Sequence, residues 1–549
     1  MITVQNVKNF LFFLSFFFFQ NIFAQEKEST NSGRLSGAFE AQGNFFHRDT
    51  AIGAFNTPQY DYQKFGAQSW LNLNYSNFGF DMGLRFDLFN NSNLLNPTGS
   101  YTAQGIGNWF VKKKIQKFDF AAGYLYDQIG TGIIFRSYEA RPLAIDNALY
   151  GVSAAYKLTK DWKVKVFSGR QKQQFDSYGA ILKGISTDAF ISFGDSSKSW
   201  SIAPGFGVVG RTFDKGSIDQ IVGAISTYTP QDSIGAQYNS YAFSAFNTLT
   251  AGNFSWYVEG AYKSKDVFFD PFVTRNLSNG EKSLGRLQNE TGSVLYSSLS
   301  YAGHGLGLTV EGKRTENFTY RTNPFVTLNR GMINFLPPLT KQNTYRLTAR
   351  YNPATQELGE KAVQVEGRYR INKKWGVFVN FSNVTNLEDK KLYREIFTEL
   401  TYKTKKYSVI GGLQRQEYNQ EIYENKPNVA LLTTWTPYLE VLYKFTKKKS
   451  LRCEVQYMTT KQDYGSWFFA LAEYSIAPHW IFTVSDMYNA QPKKTSDLHY
   501  PTALLSYTQG SNRVSFGYIK QVEGVVCTGG ICRLEPAFSG ARLTLNSTF

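Results

Sequence analysis

The chain has 549 residues, 59 Lys and Arg against 43 Asp and Glu for a formal charge of +16, and a mean hydropathy of -0.34, yet Phe, Tyr and Trp make up 16% of it. Beyond residue 24 no apolar run approaches the roughly 20 residues a membrane-crossing helix needs, which excludes a helical membrane protein. An aromatic load of this size beside 46 Gly fits curved, antiparallel β-structure with aromatic belts.

At the N-terminus Lys8 precedes an apolar run from Phe10 to Phe19 that ends near Ala24. This predicts a secretory signal over 1–24, too short to anchor the chain, and then a short periplasmic segment over 25–33. Export makes nucleic acid an implausible partner for the positive charge. Anionic lipid headgroups, lipopolysaccharide and anionic solutes are the expected partners.

From residue 34 to the end, period-two alternation recurs without a helix long enough to interrupt it. In 362–371, Val363, Val365, Gly367, Tyr369 and Ile371 share one face, and Gln364, Glu366, Arg368 and Arg370 the other. An array of soluble β-sandwiches would show the same alternation. What separates the two is the spacing: short, often Lys-rich turns such as 158–162, 371–375, 402–407 and 445–450 alternate with connections that often exceed ten residues. The prediction is therefore an all-β chain, a transmembrane antiparallel β-barrel over 34–549 with short periplasmic turns and long external loops, placed in the cell outer membrane.

Twenty-five candidate strands run from 34–48 to 532–549, with 343–352 among them. Both ends of such a barrel lie in the periplasm, so an odd count is wrong. Promoting FVTLNRGMINF, 325–335, to a strand gives about 26 and turns 353–361 into an external loop; a count of about 24 follows if one short strand is spurious.

GTGIIFRSYEARPLAIDNALYG, 130–151, falls in an external loop, with Arg136, Glu139, Arg141 and Asp146 set among apolar residues. It reads either as a constriction loop folded into the pore or as a self-packed loop whose ion pairs only fix its shape. Lys163, Lys165, Arg368 and Arg370 are the candidate basic lumen residues. Near the C-terminus, CTGGIC forms a tight reversal that sets Cys527 opposite Cys532 in a disulfide-permissive compartment. The expected outcome is a disulfide clasp; two ligands are too few for a zinc site and the spacing is not that of a redox pair. The final strand, ARLTLNSTF, ends on an aromatic residue, as substrates of outer-membrane insertion machinery do.

The segments GIIFRSYEARPLAIDNALYG (132–151), NFLPPLTKQNTY (334–345) with ATQELGE (354–360), and CTGGICR (527–533) together resemble a Bacteroidota family of exported proteins of unknown function. The resemblance implies an outer-membrane barrel of a Gram-negative envelope and supplies no catalytic residues. His47, His304, His479 and His499 are scattered, no nucleophile elbow or metal-ligand cluster is legible, and GHGLG at 303–307 reads as a turn. No enzyme and no cofactor are expected. The functional expectation is a channel with a basic lumen for small or anionic solutes. The alternative is a closed scaffolding barrel within an envelope complex for protein insertion, secretion or surface-lipoprotein display.

Overall fold

The computed structural model describes residues 33–194, 200–277, 279–492, 498–528 and 531–549; the predicted signal, and 25–32 of the segment after it, lie outside the described residues. Every strand of the main sheet pairs antiparallel with its sequence neighbours in that sheet, and the ring closes where Arg34–Phe46 meets Phe538–Thr548, in register from Ala38↔Thr548 to Phe46↔Gly540. Exchange of backbone hydrogen bonds between Gly37 and Phe549, at 2.7 and 3.0 Å, extends the seam to the last residue. Among the described residues the barrel has 24 strands, with Ile191–Phe193 continuing Asp176–Ala189 against the same neighbour.

The count is the lower of the two expected, 24 rather than about 26, and the structure shows where the parity failed. Residues 325–335 and 343–352 are not barrel strands: both belong to one connection, 317–358, between Leu306–Glu316 and Gly359–Arg370. Those two strands pair directly from Leu306↔Tyr369 to Glu316↔Gly359, so no wall position remains for a further strand between them. The β-like patterns within 317–358 arise because this connection packs apolar residues inside the barrel, a second place to bury them.

The connections separate by length. One end carries tight turns, among them 78–79, 116–117, 252–253, 304–305 and 510–511, and the other carries 126–148, 213–238, 317–358, 419–431 and 522–537. Residues 174–175 and 386–390 are exceptions, short connections at the loop end. GHGLG is a two-residue hairpin turn in which His304 and Gly305 both have positive φ, 51° and 80°, the conformation that matches strand twist. The strands Phe254–Asn276 and Lys282–Gly303 run past the rim as a ribbon. The helix Lys215–Ile225 leans on that ribbon through Ile218 and Ile221 against Val267 and Leu287.

Alternation sorts the wall into two faces. Val363 and Tyr369 are exposed on the outside while Gln364 is buried on the inside, and Trp256, Leu299, Val310 and Val379 continue the outer apolar band. At the turn end the outward aromatics meet across strands, with ring centroids 4.9 Å apart for Phe254–Tyr301, 4.5 Å for Trp375–Tyr402 and 4.5 Å for Trp480–Tyr507. Tyr262, eight positions from Phe254 on the same face, lies about 27 Å along the strand at the usual rise per residue. Allowing for strand tilt, that spacing suits a belt at each edge of an apolar band.

The outer band yields the first prediction. Val310→Arg, in the middle of that band, should cost about 2–4 kcal/mol in urea unfolding of the lipid-reconstituted protein. Thr309→Arg, one residue away and facing the lumen, should cost less than about half as much; equal costs would contradict the assigned faces.

Candidate functional site

The lumen is occupied by the barrel's own connections. Residues 126–148 begin with Asp127–Gln128 paired to Arg136–Ser137, then Glu139–Ala140 paired to Ile145–Asp146. Gly130 and Gly132 adopt positive φ, 56° and 99°, and turn the segment inward. At the tip, Thr131 donates from its backbone N (3.0 Å) and its Oγ1 (2.6 Å) to the Glu259 carboxylate on the wall. Ser244 and Tyr257 donate to the same carboxylate, each at 2.6 Å, so this fully buried anion accepts four hydrogen bonds. A Cβ on Gly130 would stand 2.6 Å from Glu259 Oε1, which is why a residue without a side chain occupies that position.

Behind the tip, Ile133, Ile134 and Phe135 are buried against inward wall residues Phe167, Leu182 and Val209, with the Phe135 and Phe167 rings stacked at 4.5 Å. The hydrophobic core of this protein therefore lies inside the barrel. The 317–358 connection joins it through Phe318, Tyr320, Ile333, Leu336, Leu339 and Leu347. The two connections bind each other through backbone: Arg136 N donates to Ile333 O and Phe335 N to Gly132 O, both at 2.9 Å. Asn147 Nδ2 adds a bond to Met332 O at 3.1 Å.

The predicted loop residues divide by role. Glu139, Arg141 and Asp146 are brought together with wall residues. Arg85 reaches Asp87 at 2.7 Å, Glu139 at 2.9 Å and Asp146 at 2.8 Å; Arg141 reaches Glu139 at 2.8 Å and Glu40 at 2.6 Å; Lys172 reaches Asp146 at 2.5 Å. Tyr126 donates to the other Asp146 oxygen at 2.8 Å. Burial alone would raise the Asp146 pKa, but Lys172 and Arg85 outweigh it and hold the carboxyl below its ordinary 3.8. Arg136 stands apart from this cluster, with its guanidinium between the rings of Tyr138 and Phe335, 4.5 and 4.2 Å from their centroids.

The second connection is held by wall groups that the sequence reading did not single out. Lys263 donates to Thr319 O at 2.6 Å, and Lys313 pairs with Glu360 at 2.9 Å and donates to Pro337 O at 2.5 Å. Glu395 accepts from Asn343 at 2.8 Å and Gln414 at 2.6 Å. Gln414 and Gln416 donate to the carbonyls of Thr348 and Tyr351 at 3.1 and 2.8 Å, and Gln456 accepts from Leu347 N at 2.8 Å. Buried Gln, Glu and Lys on inward strand positions carried the signal, but their partners in the connection sit from 24 to 109 residues away in sequence.

Lys163 and Lys165 face inward between outward Trp162 and Val166, but Lys165 pairs with Asp127 at 2.7 Å. Arg368 pairs with Glu366 at 3.0 Å. Arg368 and Arg370 line a cavity of about 1310 Å³ at the turn end together with Lys341, Lys373, Lys374 and Lys403 and with Glu311, Glu366 and Glu399. The lumen there is mixed in charge. In the 522–537 connection the backbone register sets Cys527 opposite Cys532 in a hairpin separate from the barrel sheet, but the side chains that a disulfide would join lie outside the described residues.

A closed 24-stranded antiparallel ring, apolar outside and filled by its own connections, is a large β-barrel of the outer-membrane type. The chain belongs to DUF6029, a family of unknown function, whose model matches residues 6–549. No curated protein matches the sequence. Among solved structures, the siderophore receptor PirA from Pseudomonas aeruginosa is similar at 9% identity and a TM-score of 0.40, over 95% of this chain and 81% of that one. The P pilus usher PapC translocation pore is similar at 9% identity and a TM-score of 0.41, over 93% and 99%. An E. coli P pilus tip assembly intermediate containing PapC is similar at 9% identity and a TM-score of 0.48, over 96% and 62%. At these values no functional residue is carried across.

Two outcomes follow from the Arg85 cluster. Arg85→Ala leaves Asp87, Glu139 and Asp146 short of a buried cation and should cost about 3–5 kcal/mol in urea unfolding. Because the Asp146 pKa is depressed on folding, its contribution is present above pH 3.8 and lost as pH falls through the lower folded value. Proteolysis within 126–148 should therefore stay slow at pH 5–8 and rise below pH 3.8, and Asp146→Asn should flatten that profile; an unchanged profile would contradict the assignment.

Proposed function

We propose that the protein is a non-enzymatic outer-membrane channel closed at rest by its own connections, for small solutes rather than for folded proteins. The observation that carries this reading is the paired packing of 126–148 and 317–358 inside the ring, anchored to the wall at Glu259, Arg85, Lys263 and Glu395. The outer apolar band with its aromatic belt supports placement in a bilayer, with outer-membrane lipid and lipopolysaccharide as surroundings, and the lysines at the turn end suit anionic headgroups. Anion preference rests on Lys163, Lys165, Arg368 and Arg370. It is weak on this reading, because Lys165 and Arg368 are already paired with carboxylates.

A scaffolding role in an envelope complex is the second reading. The projecting ribbon favours it, with Phe272 and Leu284 exposed at 48% and 74% beyond the rim.

Planar-bilayer recording separates the two. Glu316 and Gly359 face each other across the ladder, so a four-residue Gly-Ser turn can replace 317–358 without disturbing either strand. The native protein should show small or no steady conductance, and the shortened variant a conductance at least several-fold larger. A folded variant that stays silent, together with envelope proteins co-purifying with the native chain, would overturn the channel reading in favour of the scaffold.

A further inference from the structure

Two sequence segments singled out above, EARPL and CTGGICR, meet at the seam where the first and last strands close the ring. Arg533, next to the closing hairpin's second Cys, donates through Nη1 to Pro142 O at 3.1 Å and through Nη2 to Asn93 O at 3.4 Å. Beside it, Arg542 of the last strand donates to Asn44 Oδ1 of the first at 2.8 Å and lies over the Phe538 ring, 4.8 Å from its centroid. These two guanidiniums and Arg141 line a cavity of about 360 Å³ with Gln42, Glu40 and Glu535.

The charges in this cavity do not balance locally. Arg141 is satisfied by Glu40 and Glu139. For Arg533 and Arg542 the cavity offers only Glu535, whose carboxylate lies 3.7 Å from Arg533 Nε, beyond hydrogen-bond range. Arg533 is only 8% exposed, its Nε has no hydrogen-bond partner, and burial holds its pKa below the ordinary guanidinium value. Arg542 makes no ion pair among the described residues. Glu535 is thus the one carboxylate facing two guanidiniums, which leaves the cavity one negative charge short, a costly arrangement for charges withdrawn from water. Arg141 lies over the Trp70 ring and Arg542 over the Phe538 ring, and the amides of Gln42, Gln68 and Gln521 line the cavity beside the guanidiniums.

We propose that this seam cavity is a binding site for the oxyanion group of a small solute, a carboxylate or a phosphate, held by Arg533 and Arg542. Guanidinium forks match the geometry of both oxyanions, and the cavity volume falls in the range of small-ligand sites. The proposal deepens the channel reading, since it supplies a station for an anionic solute on the loop side of the barrel.

Calorimetric titration of the full mature protein in detergent micelles tests it, with inorganic phosphate and with succinate as separate probes at constant ionic strength. At least one probe should bind saturably. Arg533→Gln and Arg542→Gln should each weaken that binding tenfold or more, and Arg542→Lys should weaken it less. Binding of phosphate alone or succinate alone identifies the oxyanion. Arg533 lies outside the barrel sheet, so Arg533→Gln remains informative if Arg542→Gln fails to fold, as judged by circular dichroism. Absence of binding by both probes, or native affinity in folded Arg533→Gln, overturns the site. Binding without conductance in either barrel form would sink the channel and leave the site standing; conductance without binding would do the reverse.

Discussion

A strand edge facing hydrocarbon has no water to satisfy its N–H and C=O groups, so a sheet in a bilayer must close on itself. In this chain the closure is made by Arg34–Phe46 and Phe538–Thr548, which pair along the seam and are joined again by Gly37 and Phe549. Everything else in the architecture inherits the result. A closed ring of 24 strands encloses a wide interior, and the interior has to be filled, narrowed or capped.

The filling is neither a separate domain nor a uniform polar lining. It is an inner core, in which Ile133, Ile134 and Phe135 pack on Phe167, Leu182 and Val209 while Arg85, Lys172, Lys263, Lys313, Glu259 and Glu395 tie backbone and carboxylates of the inner connections to the wall. Hydrophobic burial supplies the drive inward, and buried, hydrogen-bonded charge fixes the arrangement, since breaking a buried pair is far more costly than losing one at the surface. The seam cavity lies where this inner packing, the closing hairpin and the first and last strands come together.

The fold was legible in the sequence because the outer face of each strand obeys one rule, apolar at every second position, as in Val363, Val365 and Tyr369. The inner connections were harder to read. Residues 343–352 alternate as a strand would, and Leu347 and Tyr351 are indeed buried, but against the inside of the ring. Alternation reports burial on one side and does not say which side. Of the charges in 130–151, Glu139, Arg141 and Asp146 enter the cluster, whereas Arg136 stacks between rings. Their partners Arg85 and Lys172 were invisible in advance, because alternate inward charges such as Arg85 and Asp87 look like any lumen lining until the loop that meets them is placed.

Hydrogen exchange read by mass spectrometry on the micelle-embedded protein tests most directly whether the connections truly fill the ring. Amides of Thr131, Arg136, Phe335 and Leu347 bond to the wall or to the opposing connection. Peptides spanning 129–148 and 332–351 should therefore exchange as slowly as the wall strands, with protection that persists for hours. Exchange within seconds, as for loops lying out in water, would show that the interior is not built as described.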